Sequence, residues 1–172
     1  MTKVIIVGGD HHNTLGVVRS LGIRGINPDV YVISDTTHIY NLHSKYLGTV
    51  KSFKTGEDLV EYMISEQDTY STEPIVLVTS DLAIYHLDKN YSKLSKKYKM
   101  FNAHGKLHTI MSKENMCELA KEVGLNIPEH IVHTIGDKLP NTIKFPCITK
   151  AISSVDGGKS ATTICQTRTE LE

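Results

Sequence analysis

The first block of apolar and polar residues predicts a strand followed by a turn and a helix. A continuous apolar run at residues 4–7 stops at Gly8 and Gly9, which is typical of a strand buried on both faces. Residues 13–21 then place Leu15, Val18 and Leu21 on one helical face. The chain therefore opens with a buried strand that turns sharply into an amphipathic helix.

The same alternation continues to about residue 100. The pattern predicts strands over residues 30–33, 49–53 and 75–78, a helix over 57–66, and a long helix from 82 to 98. Strands that alternate with helices at short intervals form parallel sheets with helices on both faces. We therefore expect an α/β fold with a Rossmann-like, doubly wound parallel sheet.

Polar or flexible residues follow three of the predicted strands, at Gly8-Gly9-Asp10, Ser34-Asp35 and Ser80-Asp81. Ligands of such sheets bind beyond the carboxyl ends of the strands, so functional side chains should collect at that edge. For Ser80-Asp81 a helix cap is favoured over a catalytic pair. The candidates for binding an acceptor substrate at the first strand end are Asp10, His11, Asn13, Thr14 and Arg19. For Arg19, a position on the solvent-exposed face of the predicted helix is an equally good interpretation.

The pattern changes after residue 101, which indicates a second, smaller α/β unit. Ser112 is a plausible N-cap for a helix over residues 113–123, whose apolar residues share one face, and Gly124 stands at its end. Short strands are predicted over 131–134, 147–150 and 161–165. We place the boundary near Gly105, which gives domains of residues 1–104 and 105–172.

Composition and charge exclude several classes of protein. The 172 residues carry 19 Lys and Arg against 19 Asp and Glu, so no basic field exists to hold a nucleic acid. No apolar run approaches the roughly 20 residues that cross a bilayer, and the apolar run at the N-terminus is too short for a signal peptide. Three cysteines without close spacing suggest neither a disulfide framework nor a zinc knuckle. We expect a soluble, reduced, cytoplasmic protein with no nucleic-acid or membrane partner.

The stretch over residues 145–160 carries the most informative chemistry. A predicted strand ends in Lys150 and runs into a loop rich in glycine and serine that holds Lys159. Such loops can cradle phosphate with backbone N–H groups, hydroxyls and a cation. The P-loop pattern is not met, because Ile152 and Ser153 stand where its first glycine belongs. From this stretch alone, an ordinary hairpin turn is as good an interpretation.

Four motifs in order resemble the ATP-grasp superfamily of carboxylate–amine ligases. They are Ser112-Lys113 at a helix start, Gly124-Leu125-Asn126-Ile127-Pro128, Phe145-Pro146-Cys147-Ile148-Thr149-Lys150, and Gly157-Gly158-Lys159. The opening residues 8–16 and Ser44-Lys45-Tyr46 are more similar to the branch near D-aspartate ligase and carbamoyl-phosphate-synthase-like proteins. One departure is Ser112, which stands where the family usually has Asp.

The resemblance implies a Rossmann-like pre-ATP-grasp domain followed by the start of a small ATP-grasp subdomain. The intact protein would join a small-molecule carboxylate to an amine through an acyl phosphate, using ATP and magnesium. The metal ligands would lie in a missing C-terminal part, no metal ligand is assigned here, and the fragment alone should be inactive. Family members are often homodimers. The ATP-binding residues that the resemblance implies are Lys113, Lys150, Ser154, Gly157, Gly158, Lys159 and Ser160.

Other interpretations remain open beside this one. The runner-up is a non-catalytic Rossmann-like module that binds a nucleotide, a nucleotide sugar or a partner protein. An NAD site is disfavoured because Gly8, Gly9 and Gly16 do not match G-x-G-x-x-G, although Asp35 follows the second strand. A metal at His11-His12 is disfavoured because no further ligands lie nearby in sequence. The remaining expectations are surface positions for His104 and His108, core packing for Tyr85, Tyr91 and Tyr98, and burial of Cys147 and Cys165 as small hydrophobes.

Overall fold

The computed structural model describes residues 2–34, 43–101, 106–152 and 162–172. The chain divides into two compact units, Met1–His108 and Thr109–Glu172, and each is described by itself. Within the described ranges, no helix is long and apolar enough to span a membrane.

Strands and helices alternate through most of the first unit, as the pattern predicts. In chain order the elements are β1 (Val4–Gly8), α1 (His12–Ile23), β2 (Asp29–Ile33), β3 (Val50–Phe53), α2 (Gly56–Glu66), a 3-10 turn (Gln67–Thr69), β4 (Ile75–Val78), α3 (Asp81–Lys89), α4 (Tyr91–Leu94) and β5 (Lys99–Met100). The short α5 (Leu107–Ile110) begins at the end of this unit, and no helix is described between β2 and β3.

The five strands form one parallel sheet in the order β3-β2-β1-β4-β5, which confirms the predicted fold class. Successive side chains of a strand point to opposite faces, and β1 is buried on both. Ile5 packs in a cluster with Leu59 of α2 and Leu87 of α3. Ile6 packs in a second cluster with Val18 of α1. Helices therefore cover both faces, as in a doubly wound sheet.

The long helix predicted over residues 82–98 is wrong. The structure ends α3 at Lys89, places Asn90 outside helical geometry with φ −105° and ψ 17°, and begins α4 at the next residue. The Asn90 side chain donates to the backbone carbonyl of His86, and such local bonds compete with the helix. Tyr98 then leaves the helix, and its hydroxyl donates to the carbonyl of Met63 at 2.6 Å. Because the helix ends here, residues 99–100 can pair with β4 as β5, a strand that the pattern did not predict.

The second unit contains α6 (Lys113–Glu122), β6 (Cys147–Thr149), β7 (Thr163–Cys165) and α7 (Arg168–Leu171). The two strands pair antiparallel, as expected for strands on either side of a loop. Arg168 donates to the carbonyls of Leu139 and Pro140, which fastens α7 to the preceding loop.

The second unit buries much less than its pattern predicts. Residues 131–134 form no strand. The apolar face expected in a core stays exposed, with Met116 of α6 showing 54% of its surface and Val123, just after the helix, showing 65%. Among the described residues after 108, Cys165 alone is buried, and Cys147 is only half-buried. Helical periodicity shows which face of a helix is apolar, but it does not show whether another element covers that face.

Candidate functional site

The sheet order creates a crevice in the first unit between β1 and β4. From β1 the chain moves outward through β2 and β3, then returns to place β4 on the other side of β1. The direction of winding thus reverses at this pair of strands. Open α/β sheets bind their ligands outside the carboxyl ends of the strands at such a reversal. In this chain that place holds the Gly8-Gly9 turn and the residues after β4.

The hydroxyls of Thr14 and Thr79 form hydrogen bonds that stabilise this turn. Thr14 is fully buried, its hydroxyl donates to the carbonyl of Gly9 at 2.7 Å, and it lies 2.8 Å from the Thr79 hydroxyl. Because Thr14 has only one hydroxyl proton and gives it to Gly9, Thr79 is the donor in the bond between the threonines. A Cβ added at Gly8 would collide with the Thr79 hydroxyl and press on that of Thr14. The backbone can approach the threonines this closely only because residue 8 is glycine.

This geometry corrects one predicted substrate contact and adds one residue. Thr14 was expected to face a substrate, but its side chain is buried and its hydroxyl is used within the turn. Thr79 was not among the candidates. The sequence could have indicated Thr79, because it is the first polar residue after β4, a strand that borders the reversal.

The other four candidates divide by exposure. Asp10 and His11 are half-buried in the turn, whereas Asn13 and Arg19 are exposed on α1. The backbone N–H of His11 donates to the carbonyl of Gly9 at 2.9 Å, and the His11 ring lies against Gly9. Its Nδ1 atom is buried and has no hydrogen-bond partner among the described residues. A buried polar atom normally has a partner, so this nitrogen is a candidate contact for a polar ligand group.

A dinucleotide fingerprint finds no support at this turn. The third glycine of that motif allows a helix to pack closely on a strand. Gly16 is exposed, and a Cβ built on it would meet nothing within 4 Å. Asp35, the acidic residue that could bind a ribose, lies outside the described residues. Across the described ranges, no group of three or more His, Cys, Asp or Glu side chains is placed to hold a metal ion.

His108 was expected at the surface; its side chain is 34% exposed, and it also contacts a buried carboxylate. The side chain of Asp88 on α3 is completely buried. One of its oxygens accepts from the backbone N–H of His108 at 2.9 Å and lies 2.8 Å from the ring Nδ1 of the same residue. A buried carboxylate needs such partners, so the pair anchors the start of α5 to the first unit. His104 lies outside the described residues. The prediction of Ser80 as a helix cap is confirmed, because its hydroxyl accepts from the backbone N–H of Ala83.

In the second unit, the start of α6 lies beside the chain that leaves β6. The Ser112 hydroxyl accepts from the backbone N–H of Asn115, which confirms it as the helix cap. The backbone N–H of Lys113 donates to the carbonyl of Ile152 at 3.1 Å, and its ammonium lies 3.5 Å from the same oxygen. Lys150 stands two residues before Ile152, a separation of at most about 7 Å between Cα atoms. Both predicted phosphate-binding lysines thus lie at one end of this unit.

The electrostatics at this end favour an anion. Lys113 is half-buried, and Lys150 is exposed and forms no ion pair with the described residues. The N-terminus of α6 adds the partial positive charge of the helix dipole. The backbone N–H groups of Lys113 and Asn115 already have partners there, and Glu114 places a carboxylate in the same turn. A groove of about 330 Å³ begins at Lys113 and continues along apolar side chains. The other lining residues are Met116, Cys117, Ala120, Ile127 and Pro128. The remaining predicted ATP-binding residues, Ser154, Gly157, Gly158, Lys159 and Ser160, lie outside the described residues.

The fold is similar to that of a known enzyme. The chain superposes on the crystal structure of an L-amino acid ligase from Bacillus licheniformis with a TM-score of 0.71, at 15% sequence identity. The match covers 99% of this chain and 39% of that chain, so the chain spans well under half of the length of the ligase. No protein-family model matches the sequence, and no curated protein matches it either. At this identity the likeness concerns the fold.

Proposed function

We propose that this chain is the N-terminal part of an ATP-dependent carboxylate–amine ligase of the ATP-grasp superfamily, from the branch near D-aspartate ligase and carbamoyl-phosphate-synthase-like proteins. One observation carries the proposal. The contact of Lys113 with Ile152 brings the start of α6 to the end of β6, where Lys150 stands. The likeness of fold to an L-amino acid ligase supports the same class of reaction.

The triphosphate of ATP is the ligand that this end of the second unit would bind. Lys113 and Lys150 supply charged N–H donors, and the helix dipole of α6 adds partial positive charge, which is what phosphate oxygens require. Ser154, Gly157, Gly158, Lys159 and Ser160 would close over the phosphates as a flap. The protein has to position the γ-phosphoryl group and neutralise its charge while a substrate carboxylate attacks it, the bond to the β-phosphate breaks and ADP leaves. The resulting acyl phosphate then reacts with the amine, and inorganic phosphate leaves.

The crevice of the first unit is the proposed place for a small-molecule substrate. Asp10 and Asn13 can bond an amino group or a hydroxyl. The Nδ1 of His11, which has no partner among the described residues, can bond a carboxylate or an amine, according to the tautomer of the ring. Arg19 is exposed on α1 and could reach a second carboxylate. Thr14 and Thr79 would act indirectly by fixing the turn.

The remaining expectations belong to this proposal as well. Residues 1–104 would form the pre-ATP-grasp domain and residues 105–172 the start of the ATP-grasp domain. Magnesium would be held by residues outside this chain and would supply further charge neutralisation. A cytoplasmic, homodimeric enzyme fits the proposal, whereas binding to nucleic acid or to a membrane does not.

Two lysine variants and a matched control test the proposal. In the full-length protein that contains this chain, Lys113→Ala and Lys150→Ala should each weaken ATP binding by about tenfold or more, because a hydrogen bond to a charged group contributes about 1.5–3 kcal/mol. Lys144→Ala is the control, since Lys144 is an exposed lysine of the same unit whose ammonium pairs with Glu129 at 2.8 Å. Calorimetric titration with ATP measures the binding. ATP-dependent phosphate release with pairs of amino acids measures the ligation.

The outcomes separate the competing functions. Loss of ATP binding in both variants, with the control unchanged, supports the phosphate site. ATP binding without phosphate release for any carboxylate–amine pair would favour a non-catalytic nucleotide-binding module. Equal behaviour of all three variants would remove the basis of the proposal.

A further inference from the structure

Two of the three cysteines face each other across the β6–β7 pair, although 17 residues separate them in the sequence. Cys147 lies directly opposite Cys165 in the antiparallel register. The Cα atoms of directly opposed residues in antiparallel strands lie about 4.5–5.5 Å apart. Disulfides join cysteines whose Cα atoms are about 4.4–6.8 Å apart. The backbone therefore already holds this pair at the separation of a cross-strand disulfide.

The side chains of the pair also lie on the same face of the two strands. The intervening opposed residues, Ile148 and Ile164, point to the other face and are exposed. Burial raises the pKa of the Cys165 thiol, and the nearby Cys147 thiol adds to the rise. Cys165 is 2% exposed and its sulfur lies 3.7 Å from the carbonyl oxygen of Glu170, whereas Cys147 is half-buried. The two thiols are thus neighbours, and only one of them is open to solvent.

We propose that Cys147 and Cys165 form a reversible disulfide across β6 and β7, and that small-molecule disulfides and thiols of the glutathione type are its redox partners. Cys147, the more accessible residue, attacks one sulfur of the small disulfide as its thiolate and releases one thiol. The Cys165 thiolate then attacks the Cys147 sulfur of the mixed disulfide, the internal S–S bond forms, and the second thiol leaves. The protein loses two electrons and two protons, and the small disulfide becomes two thiols.

The bond would close a covalent loop from residue 147 to residue 165. This loop contains Lys150 and the glycine-rich stretch, and the disulfide would add a covalent link to the β6–β7 pairing that already joins the two ends. Formation of the disulfide does not depend on ATP binding, and it stands or falls separately from the proposed ligase activity.

Cys117 provides a matched control, because it is a half-buried cysteine of the same unit that lies on α6. The full chain is incubated with oxidised glutathione under native conditions, free thiols are blocked with an alkylating agent, and intact mass and peptide maps are recorded. We expect the protein to lose two hydrogens and keep one free thiol, at Cys117. Cys117→Ser should form the same bond, whereas Cys147→Ser and Cys165→Ser should form none. Dithiothreitol should restore three free thiols.

Other products would overturn the proposal. One is stable attachment of glutathione to Cys147 or Cys165 without an internal bond. Another is a disulfide that involves Cys117, or one that joins two chains. Repeating the oxidation in urea tests whether the folded structure selects the Cys147–Cys165 pair, because an unfolded chain distributes the disulfide among all three possible pairs. The same mixture of products with and without urea would also contradict the inference.

Discussion

Replacing Gly8 with alanine should destabilise the first unit through one collision. A methyl group at this position would overlap the Thr79 hydroxyl and press on that of Thr14, which are bonded to each other. Overpacking of a tight site costs about 1–3 kcal/mol, and each disturbed hydrogen bond costs about 0.5–1.5 kcal/mol. Reduced freedom of the unfolded chain returns about 0.5 kcal/mol. We expect a net loss of about 2–3 kcal/mol in the free energy of unfolding.

Gly16→Ala is the control for this substitution. Gly16 lies within α1, and an added Cβ would meet nothing within 4 Å. Alanine inside a helix is more favourable than glycine by about 0.5–1 kcal/mol. The same chemical change eight residues away should therefore stabilise the protein, so the two variants should shift stability in opposite directions.

Tyrosine fluorescence during urea unfolding measures both effects on the first unit alone. The chain has eight tyrosines and no tryptophan, and every tyrosine precedes residue 109. With a slope of about 2 kcal/mol per molar urea, Gly8→Ala should lower the midpoint by roughly 1 M. In the double variant with Thr79→Ala, part of the loss should disappear, because the colliding hydroxyl is gone. A midpoint for Gly8→Ala at or above the wild-type value would refute this account of the turn.

Three further predictions concern the same unit. Asp88→Ala should lower the free energy of unfolding by about 1–3 kcal/mol, because the hydrogen bond from the backbone N–H of His108 to this buried carboxylate is lost. The test is urea unfolding, and an unchanged midpoint would contradict it. Stability should fall above about pH 10, since burial raises the pKa of Tyr98 in the folded protein and the unfolded chain alone releases this proton there. Thermal melts from pH 8 to 11 test this, and a flat profile would argue against it. Thr55→Ala should cost about 0.5–2 kcal/mol by removing the capping box with Asp58, whereas Thr55→Ser should cost little in the same assay.

The central strands and the helix caps could be predicted from the sequence because their signals are local. An uninterrupted apolar run such as β1 has few alternatives to a strand buried on both faces. Ser80 and Ser112 stand directly before periodic apolar segments, and both hydroxyls accept the expected backbone bonds. Such features depend on the neighbours of a residue within one turn of helix.

Features that depend on distant partners could not be predicted in this way. The break after Lys89 follows from a side-chain bond of Asn90 and from pairing of β5 with β4, and the periodicity of residues 82–98 contains neither. The sequence around Asp88 does not show whether its carboxylate is buried or exposed, and the structure buries it completely. In the candidate site, the order of the sheet decides that Thr79 faces the Gly8 turn, and single segments do not reveal that order.

The position of β1 has a consequence for biosynthesis. β1 is synthesised before the other strands of this sheet, yet it lies in the middle, between β2 and β4. Its second neighbour, β4, ends at Val78, so at about 5–20 residues per second β1 waits several seconds after its own synthesis for that partner. During this interval an apolar edge strand stays open to other chains. A chaperone that shields this edge would therefore act before the first unit is fully translated.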